Sequence, residues 1–287
     1  MKFKYFGTAA AECFPALFCS CEHCQRAMKA GGKNVRTRSQ ALINDDLLID
    51  LPPDTYYHMI KDGLDLTKVK YIIFTHSHED HFYLYDLHRT YPPFAYDANK
   101  QKIPQINIYG NESINRYADD FENVKDILCF HEIHAFEKFT VGEYDKYTVT
   151  PLKADHDPGQ NCLIFIIEDK SGKKILYGND TGYLPEETWD YLQKNHTGGS
   201  KFNFVSLDAT SGTEECRYGH MGIACGAEVR DRLIEMGAAD DNGGGSKTIF
   251  CYNHFSHNGM KIYDELAPVA QEMGFLVSYD GMEIEST

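Results

Sequence analysis

Residues 69–81 read Val-Lys-Tyr-Ile-Ile-Phe-Thr-His-Ser-His-Glu-Asp-His, an apolar run followed at once by a dense polar cluster. The run from Val69 to Phe74 predicts a β-strand, because it is short, apolar and rich in β-branched and aromatic residues. Imidazole and carboxylate side chains directly after it suit zinc, iron or manganese, and open positions on these metals can activate water. A surface loop that is merely rich in histidine is the alternative, and the H-x-H-x-D-H spacing argues against it. The predicted ligands in this cluster are His76, His78, Asp80 and His81.

Length and charge limit the fold and the partners. The chain has 287 residues and a formal net charge of −15, and it is long enough for a full hydrophobic core within one large domain. That charge repels phosphate polymers and anionic membranes, so we expect neither a long nucleic acid nor a membrane as a partner. Residues 1–7 lack the apolar segment of a signal peptide, and no apolar run is long enough to span a membrane. We therefore expect a soluble, cytoplasmic protein.

Three of the nine cysteines form a compact motif. Cys19, Cys21 and Cys24 follow a C-x-C-x-x-C spacing that brings three thiolates within reach of one tetrahedral metal ion. The fourth ligand has to come from elsewhere, a distant histidine or cysteine, because His23 lies between two ligands and its ring has little room. Three reduced thiols without a metal are the alternative. The other cysteines are scattered among apolar neighbours and are predicted to be buried, inert thiols.

Apolar, strand-like segments recur along the chain, and six of them are followed directly by side chains of the kind that bind metals. Such strand ends can converge on one edge of a sheet, where a rigid scaffold holds a catalytic metal site. Residues 82–105, rich in tyrosine and proline, and the wider region around 82–145 are predicted to be an insertion beside that site. The six strand ends are Asp50, the cluster at 76–81, His156, Asp180, Asp208 and His254.

His220 is the candidate general acid. It lies in the loop Gly219-His220-Met221-Gly222, where flanking glycines let the backbone bring an imidazole close to a substrate. An unperturbed histidine titrates near neutral pH and can protonate a leaving alkoxide. Asp208, at a predicted strand end, is a candidate partner that holds the ring. A loop histidine that only positions a phosphate is the alternative for His220, and a purely structural role is the alternative for Asp208.

Together, the strand-end residues resemble the motifs of the metallo-β-lactamase superfamily. The resemblance covers essentially the whole chain apart from the insertion near 82–145. It implies an α+β fold, a four-layer αββα sandwich, built as a single domain over 1–287 with a metal-binding loop near 19–24. It also implies a two-metal centre at one edge of the sandwich. The five motifs of the family correspond in order to Asp50, the cluster at 76–81, His156, Asp180 and His254.

The resemblance implies a role for each of these side chains. The true β-lactamases have a cysteine in place of the bridging aspartate, so the all-oxygen bridge of Asp180 favours hydrolysis of phosphoesters. Asp50 is expected behind the ligands, where it orients a histidine, and Asp208 is placed in the same outer layer. The predicted catalytic residues are His220 and Asp80, which is also a ligand. Two metals would be held by three ligands each, and Asp180 would bridge them. The ligands of one metal would be His76, His78 and His156, and those of the other would be Asp80, His81 and His254.

Two further features resemble one branch of the superfamily, the phosphodiesterase family of the phosphonate carbon–phosphorus lyase pathway, which cleaves a phosphoribosyl 1,2-cyclic phosphate. They are the thiol cluster at 19–24 and the close pair His254-x-x-His257. In that family the first histidine of the pair serves the catalytic metals, and the second completes a structural zinc site. The resemblance therefore implies His257 as the fourth ligand of the thiol cluster, and it places a catalytic histidine near His220.

These residues predict a metal-dependent hydrolase, most specifically a phosphodiesterase acting on a small cyclic phosphate or nucleotide-like ester. It would use two divalent catalytic metals (Zn, Mn or Fe) and one structural Zn. Its partner would be a small phosphate ester, and a homodimer is left open. The alternatives are a transfer-RNA 3′ processing nuclease of the same fold, a protein like the pyrroloquinoline quinone biosynthesis protein B, which shares the thiol cluster, and a metal carrier. The net charge of −15 and the lack of a basic, glycine-rich arm argue against the nuclease, and the complete ligand sets argue against the carrier.

Overall fold

The structure, a computed structural model, describes residues 1–196, 199–240 and 248–285. Within these ranges the chain forms fourteen strands: β1 (Lys2–Gly7), β2 (Gln40–Ile43), β3 (Leu47–Ile49), β4 (Tyr71–Ile73), β5 (Ile106–Gly110), β6 (Leu128–Glu132), β7 (Phe139–Val141), β8 (Tyr147–Lys153), β9 (Leu163–Asp169), β10 (Lys174–Gly178), β11 (Phe204–Asp208), β12 (Ile249–Asn253), β13 (Leu276–Val277) and β14 (Glu283–Glu285). It also forms seven α-helices there: α1 (Glu22–Ala30), α2 (Thr55–Asp62), α3 (Leu84–Leu87), α4 (Glu112–Asn115), α5 (Glu186–His196), α6 (Ile223–Glu235) and α7 (Tyr263–Glu272). Short 3-10 helices lie at Gly32–Asn34, Ala118–Val124 and His257–Gly259.

The described strands form two mixed sheets of the same design. The first has the order β14-β1-β2-β3-β4-β5-β6, and the second has the order β13-β12-β11-β10-β9-β8-β7. In each sheet four consecutive strands are parallel, β3 to β6 in the first and β10 to β13 in the second. The remaining neighbours pair antiparallel. Parallel strands need both faces covered, which explains why β10 and β11 are buried along their whole length.

Four layers follow from the way these sheets bury their faces. The inner faces pack against each other, and the rings of Phe3 in β1 and Phe204 in β11 lie 5.0 Å apart between their centroids. Helices α5, α6 and α7 cover the outer face of the second sheet through buried side chains such as Trp189 and Leu233. Helices α3 and α4 cover the outer face of the first sheet, with Ile114 in the same buried cluster. The predicted α+β fold, a four-layer αββα sandwich, is confirmed.

Two predicted strands are each divided between the sheets. The segment 130–139 predicts one strand, but β6 ends at Glu132 in the first sheet and β7 begins at Phe139 in the second. Phe136, with a φ of +69°, lies in this crossing. The sequence of 276–284 likewise predicts one closing strand, but the segment is divided into β13 in the second sheet and β14 in the first. Alternation of side chains predicts strand character at both ends of such a segment, whereas it contains no information about which sheet each end joins.

Three more segments differ from the prediction or lie outside the residues that the structure describes. The region around the thiol motif contains α1, whose first turn is capped by the Cys21 side chain accepting the amide hydrogen of Cys24. The helix expected over 112–121 is shorter, because α4 ends at Asn115 and a 3-10 helix follows. The glycine-rich loop predicted for 240–246 lies outside the described residues except for Asp240. In the described parts of the chain, no helix has the length and apolar character needed to cross a membrane.

The strand directions place the predicted ligands at one end of the sandwich. Strands β3 and β4 are parallel, so the residues after them leave the same edge of the first sheet. Strands β10, β11 and β12 are parallel in the second sheet. Strand β8 runs in the same direction as β10, because each of them pairs antiparallel with β9. The segments after β4, β8, β10, β11 and β12 can therefore meet across the gap between the sheets.

Candidate metal centre

Three strand-end residues of the site share an uncommon backbone conformation. Asp50, Asp180 and His254 have φ values of +63°, +55° and +65°. Left-handed backbone is rare for residues with a side chain, but aspartate and histidine tolerate it better than most. The conformation turns the chain out of its extended path directly after β3 and β12 and two residues after the end of β10. The local sequence therefore ends each of these strands where a ligand-type side chain is needed.

Three histidines form the first ligand group. His76 Nε2 lies 2.9 Å from His78 Nδ1, and His156 Nε2 lies 3.3 Å from the same Nδ1. In His76 and His156 the second ring nitrogen, Nδ1, also has a hydrogen-bond partner. His76 Nδ1 is 3.0 Å from Thr75 Oγ1, and His156 Nδ1 is 3.1 Å from the Gly219 carbonyl oxygen. His76 and His78 follow β4 while His156 follows β8, so this group joins the two sheets.

Asp80, His81 and His254 form the second ligand group. Asp80 Oδ2 lies 3.2 Å from His81 Nε2, and the rings of His81 and His254 stack with their centroids 5.5 Å apart. The candidate ligand atoms of the three side chains lie within 4.8 Å of one another. This group also draws on both sheets, because His254 follows β12.

Asp180 lies between the two groups. Its Oδ2 is 3.0 Å from His81 Nε2 and 3.3 Å from His76 Nε2, and its Oδ1 is 3.3 Å from His156 Nδ1. The side chain is only 3% exposed. Burial alone would raise the pKa of this carboxyl, but the surrounding histidines, His254 foremost, hold the pKa well below its usual range. The carboxylate is therefore charged, and it faces imidazoles from both groups.

The unpaired atoms at this centre fit metal ions. Among the described residues, His81 Nε2, His254 Nε2 and Asp180 Oδ1 are buried and have no partner in hydrogen-bonding geometry, although polar atoms of the centre lie 3.0, 3.7 and 3.3 Å from them. Buried polar atoms are nearly always hydrogen-bonded, so such a concentration of unpaired atoms indicates a different kind of partner. Nitrogen and oxygen donors of this kind suit divalent metals such as zinc, manganese and iron. The side chains present therefore fit the ions that the sequence predicts.

Asp50 supports the second group from behind. Its Oδ2 lies 2.8 Å from His81 Nδ1, and its Oδ1 accepts a hydrogen bond of 2.9 Å from the Thr75 amide. The Thr75 hydroxyl also donates to this carboxylate. Asp50 is completely buried, and its contact leaves His81 Nε2 facing the ligand group. This is the position that the sequence predicts for Asp50.

Asp208 holds three parts of the site together. It accepts hydrogen bonds from the amides of Asp180 (3.1 Å), Thr210 (3.0 Å) and Met221 (2.9 Å). Its Oδ2 also lies 3.4 Å from His220 Nδ1 and 3.4 Å from His254 Nδ1. The side chain is fully buried. Asp208 therefore holds Asp180, the His220 loop and His254 in place at once.

His220 lies at the surface of the centre on a well-anchored loop. Its Nδ1 is 3.2 Å from Asp180 Oδ1, and a third of its side-chain surface, 33%, is exposed. Burial on its own lowers the pKa of His220, but the hydrogen bond to Asp208 and that residue's charge outweigh burial and raise the pKa to about 9. The neighbouring Gly219 amide donates to the Asp155 carboxylate over 3.1 Å. A Cβ at Gly182 would lie 2.6 Å from the Arg217 carbonyl oxygen, so this loop packs closely against the turn after β10.

Four positioning residues were not predicted from the sequence. Thr75 and Thr210 contact the ligand histidines, with Thr210 Oγ1 2.9 Å from His254 Nδ1. Asp157 Oδ2 lies 3.1 Å from His78 Nε2, and Gln160 donates to that carboxylate. Each of the four lies within four residues of a predicted ligand or of Asp208. This proximity in the sequence is the signal by which they could have been predicted.

A buried chain of hydrogen bonds runs from Asp50 toward the last strand. Gln40 Nε2 donates to the Asp50 carbonyl oxygen over 3.0 Å. His58 lies between Gln40 Oε1, 2.6 Å from its Nδ1, and Thr37 Oγ1, 2.7 Å from its Nε2. The Thr37 hydroxyl oxygen also lies 2.7 Å from the Asp280 carboxylate, which accepts the Thr37 amide hydrogen, so the one hydroxyl hydrogen of Thr37 can be donated to Nε2 of a neutral His58. Burial lowers the pKa of His58 to about 4.

The three cysteines meet a histidine from the far end of the chain. Cys19 Sγ and Cys21 Sγ each lie 3.4 Å from His257 Nδ1. With Cys24, the four candidate ligand atoms lie within 4.8 Å of one another. Burial on its own raises the pKa of Cys21, but hydrogen bonds from His257 and from the Cys24 amide lower it to about 6. A thiolate in this place is the form that binds a metal.

The family follows from comparison with known proteins. A family model described as a beta-lactamase superfamily domain matches residues 47–237, which is more than half of the chain. The chain belongs to the metallo-β-lactamase superfamily. Membership indicates a metal-dependent hydrolase, and the metallo-β-lactamase fold implies divalent metal ions at the His/Asp groups described above. A comparison with curated proteins gives no match.

Solved structures agree with the metallo-β-lactamase fold along almost the whole chain. A diphosphatase from the PhnP family has a TM-score of 0.70 at 17% identity, and the alignment covers 99% of this chain and 97% of that one. The short form of human tRNase Z has a TM-score of 0.66 at 16% identity, with complete coverage of both chains. Zn²⁺-bound PqqB from Methylobacterium extorquens has a TM-score of 0.64 at 15% identity, with coverage of 99% and 100%. At such identities the likeness shows the fold alone.

The structure places every predicted site residue in, or directly behind, one of two clusters of this metallo-β-lactamase fold. The larger cluster lies between the sheets and contains both ligand groups, Asp180 and His220. Asp50 and Asp208 lie behind it. The smaller cluster contains the three cysteines and His257.

Proposed function

We propose that this protein is a binuclear metal-dependent phosphodiesterase that hydrolyses a small cyclic phosphate or nucleotide-like ester. The observation that carries the proposal is the position of Asp180, whose carboxylate faces Nε2 of His76 in the first ligand group and Nε2 of His81 in the second. A single carboxylate between two sets of ligands suits a bridge between two ions. The set contains only nitrogen and oxygen donors, which supports phosphoester chemistry rather than β-lactam hydrolysis.

The proposed cofactors are two divalent catalytic ions and one structural zinc. His76, His78 and His156 would hold one catalytic ion, and Asp80, His81 and His254 the other. Bound there, the two ions would lower the pKa of a water molecule between them and neutralise charge on the phosphoryl oxygens. The sulfur-rich cluster of Cys19, Cys21, Cys24 and His257 has the donor set of a structural zinc site.

His220 is proposed to donate the proton that the leaving oxygen needs. Its Nδ1 lies beside the carboxylates of Asp180 and Asp208, and its partly exposed ring reaches the surface of the centre. Asp208 holds the ring, and the hydrogen bond from the Met221 amide to Asp208 fixes the loop at the same point. Without a proton donor, an alkoxide leaving group would re-attack the product, because an alkoxide is a strong nucleophile. The contacts of His220 with these two carboxylates and its partly exposed ring support the proposed role as a general acid.

A small substrate is proposed in preference to a nucleic acid. The net charge of −15 works against binding of a polyanion. Likeness to tRNase Z, at 16% identity, supports the fold, whereas likeness to a PhnP-family diphosphatase is at least as close, with TM-scores of 0.66 and 0.70. We propose a cytoplasmic enzyme with a small phosphate ester as its partner, and the state of association is left open.

Hydrolysis of bis(p-nitrophenyl) phosphate and of a series of cyclic phosphodiesters, with added Mn²⁺ or Zn²⁺, tests the proposal. We expect turnover of at least one diester and a loss of at least about a hundredfold in Asp180→Ala. Asp190→Ala, which removes an exposed aspartate of α5, is the matched control and should keep wild-type turnover.

Two results would decide against the proposal. Absence of turnover with every diester would contradict the phosphodiesterase function, and salt-dependent cleavage of a transfer-RNA precursor would favour the nuclease instead.

Metal analysis by mass spectrometry separates an enzyme from a carrier. The proposed enzyme binds three ions per chain, two catalytic ions and one structural zinc. A carrier that uses the first group alone would retain its ion in Asp180→Ala.

A further inference from the structure

Asp157 and Gln160 connect two loops that carry ligands of the first group. Asp157 Oδ2 lies 3.1 Å from His78 Nε2 and accepts a hydrogen bond of 3.0 Å from Gln160 Nε2. Gln160 Oε1 accepts two hydrogen bonds from Ser77, one from its amide at 2.9 Å and one from its hydroxyl at 3.0 Å. The Asp157–Gln160 clamp therefore closes a ring of hydrogen bonds, from Ser77 through Gln160 and Asp157 back to His78.

The atoms in this ring have fixed donor and acceptor roles. An amide N–H of the backbone can only donate, so the oxygen of Gln160 has to face Ser77, and its NH₂ group has to face Asp157. A carboxylate can only accept, so the proton of a neutral His78 has to be on Nε2. The lone pair of that imidazole is then on Nδ1, which is the atom that lies 2.9 Å from His76 Nε2.

The other two histidines of the group also have a partner at the nitrogen that faces away from the group. His76 Nδ1 faces Thr75 Oγ1, which is buried, and His156 Nδ1 faces the Gly219 carbonyl oxygen. The contact between His78 and Asp157 is the exposed one, with 42% and 31% of the two side chains accessible. An exposed pair gains little from a single charge contact. The additional bonds to Asp157, from Gln160 and from the Gly159 amide at 2.8 Å, keep the carboxylate in place.

We propose that the Asp157–Gln160 clamp is a positioning device for the first metal, holding His78 in the tautomer and orientation that present Nδ1 to the ion. Asp157 directly follows His156, so the same short segment provides one ligand of the group and orients another. The inference rests on the metal site of the proposed function, but it concerns affinity for the ion and does not depend on which ester is cleaved. Partners of this kind commonly change metal affinity by about 10 to 100 fold.

The test is a titration of the metal-stripped full chain with Zn²⁺ against a chromophoric chelator, together with the visible spectrum of the Co²⁺-loaded protein. Asp157→Ala and Gln160→Ala are compared with Asn161→Ala, which alters the same loop at a side chain whose partner is the exposed Glu112. The Co²⁺ bands that disappear in His156→Ala report the first group, and those that disappear in Asp80→Ala report the second.

We expect Asp157→Ala to weaken one ion by about 10 to 100 fold and to reduce only the bands of the first group. Gln160→Ala should have a smaller effect in the same direction, and Asn161→Ala should match the wild type. If Asp157→Ala does not fold, Asp157→Asn keeps the shape of the side chain but places an NH₂ or an uncharged oxygen opposite Gln160 and His78. An intermediate loss in this variant supports the clamp.

Wild-type affinity in Asp157→Ala and Asp157→Asn, or loss of the second group's bands instead, would overturn the inference. A wild-type chain that binds no ion outside the sulfur cluster would overturn it as well. Failure of the clamp and failure of the proposed phosphodiesterase function give different results. A chain that shows the expected metal pattern but cleaves no diester contradicts the phosphodiesterase and supports the clamp, whereas diester cleavage with an unaltered affinity in Asp157→Ala does the reverse.

Discussion

His81 Nδ1 lies 2.8 Å from Asp50 Oδ2, and both side chains are buried. Replacing Asp50 with Asn removes the charge that holds this ring, so we expect metal affinity or turnover to fall by about 10 to 100 fold. The measurement is metal content and diester hydrolysis at limiting Mn²⁺. Asp45→Asn, at an exposed turn position between β2 and β3, is the control and should behave as wild type. Equal metal affinity in the two variants would show that Asp50 only ends its strand.

Removal of His220 should affect substrates according to their leaving groups. A p-nitrophenolate leaves without a proton, whereas a sugar alkoxide needs one. We expect His220→Ala to lower turnover of a cyclic alkyl phosphodiester by about 10² to 10⁴ fold and that of bis(p-nitrophenyl) phosphate far less. Metal content is measured in parallel, because His220 Nδ1 is 3.2 Å from Asp180. His134→Ala, at a half-exposed histidine, is the control. A loss of the same size for both substrates would indicate that His220 positions the phosphate instead.

Disruption of the sulfur cluster should lower the metal content and the free energy of unfolding. His257 follows His254 by three residues, so an ion bound by Cys19, Cys21, Cys24 and His257 anchors the segment that carries a catalytic ligand. We expect Cys21→Ser to lose one ion per chain and at least about 2 kcal/mol of unfolding free energy, or roughly 4–8 °C in melting temperature. Mass spectrometry and thermal unfolding provide the two measurements. Cys129→Ser serves as the control, and unchanged metal content in Cys21→Ser would exclude the cluster as a zinc site.

His58 should make the fold sensitive to mild acid. Its pKa is lowered to about 4 by burial in the native state, whereas an exposed histidine in the unfolded chain titrates near 6.5. Below pH 6.5 this histidine binds a proton in the unfolded chain but stays neutral in the native state. Its contribution to the free energy of unfolding is therefore fully present above pH 6.5 and is lost progressively as the pH falls toward 4. The expected contribution is about 2 kcal/mol between pH 7.5 and pH 5.

Urea unfolding of the metal-stripped protein at these two pH values measures the effect. His58→Gln should lose less stability on acidification than the wild type by about that amount. His134→Gln, which removes a histidine with a side chain 54% exposed, should follow the wild type. An acid response in His58→Gln identical to that of the wild type would contradict the buried neutral state of His58.

Much of the fold follows from the sequence because local signals and strand ends coincide. The helix beginning near Tyr56 ends at Gly63, which is left-handed with a φ of +71°, as a glycine after an amphipathic segment predicts. The two divided strands could not be predicted, because alternation within 130–139 is compatible with either sheet and only tertiary packing decides the partner. Helix α1 was hidden by its thiols, since Cys21 caps the helix and Cys24 lies in its first turn.

The candidate site was predictable where ligand spacing is local and where strands end in a ligand-type residue. The cluster at 76–81 required no tertiary information, and His156, Asp180 and His254 were predicted at the ends of apolar runs. The thiols were predicted from their spacing, and His257 was predicted only from the family resemblance. Asp157 and Gln160 were not recognised, because an Asp-x-x-Gln spacing is common in loops and acquires meaning only beside His78. The cytoplasmic location, the phosphate-ester partner and the three-ion stoichiometry stay predictions.

The separation of 238 residues between Cys19 and His257 has a consequence for biosynthesis. At typical synthesis rates the thiols leave the ribosome roughly 10 to 50 s before their histidine partner exists. During that interval the three cysteines are exposed to oxidants and to adventitious ions without their complete ligand set. A complete set of four donors for the proposed zinc is therefore present only after translation has passed His254, the last candidate ligand of the larger cluster.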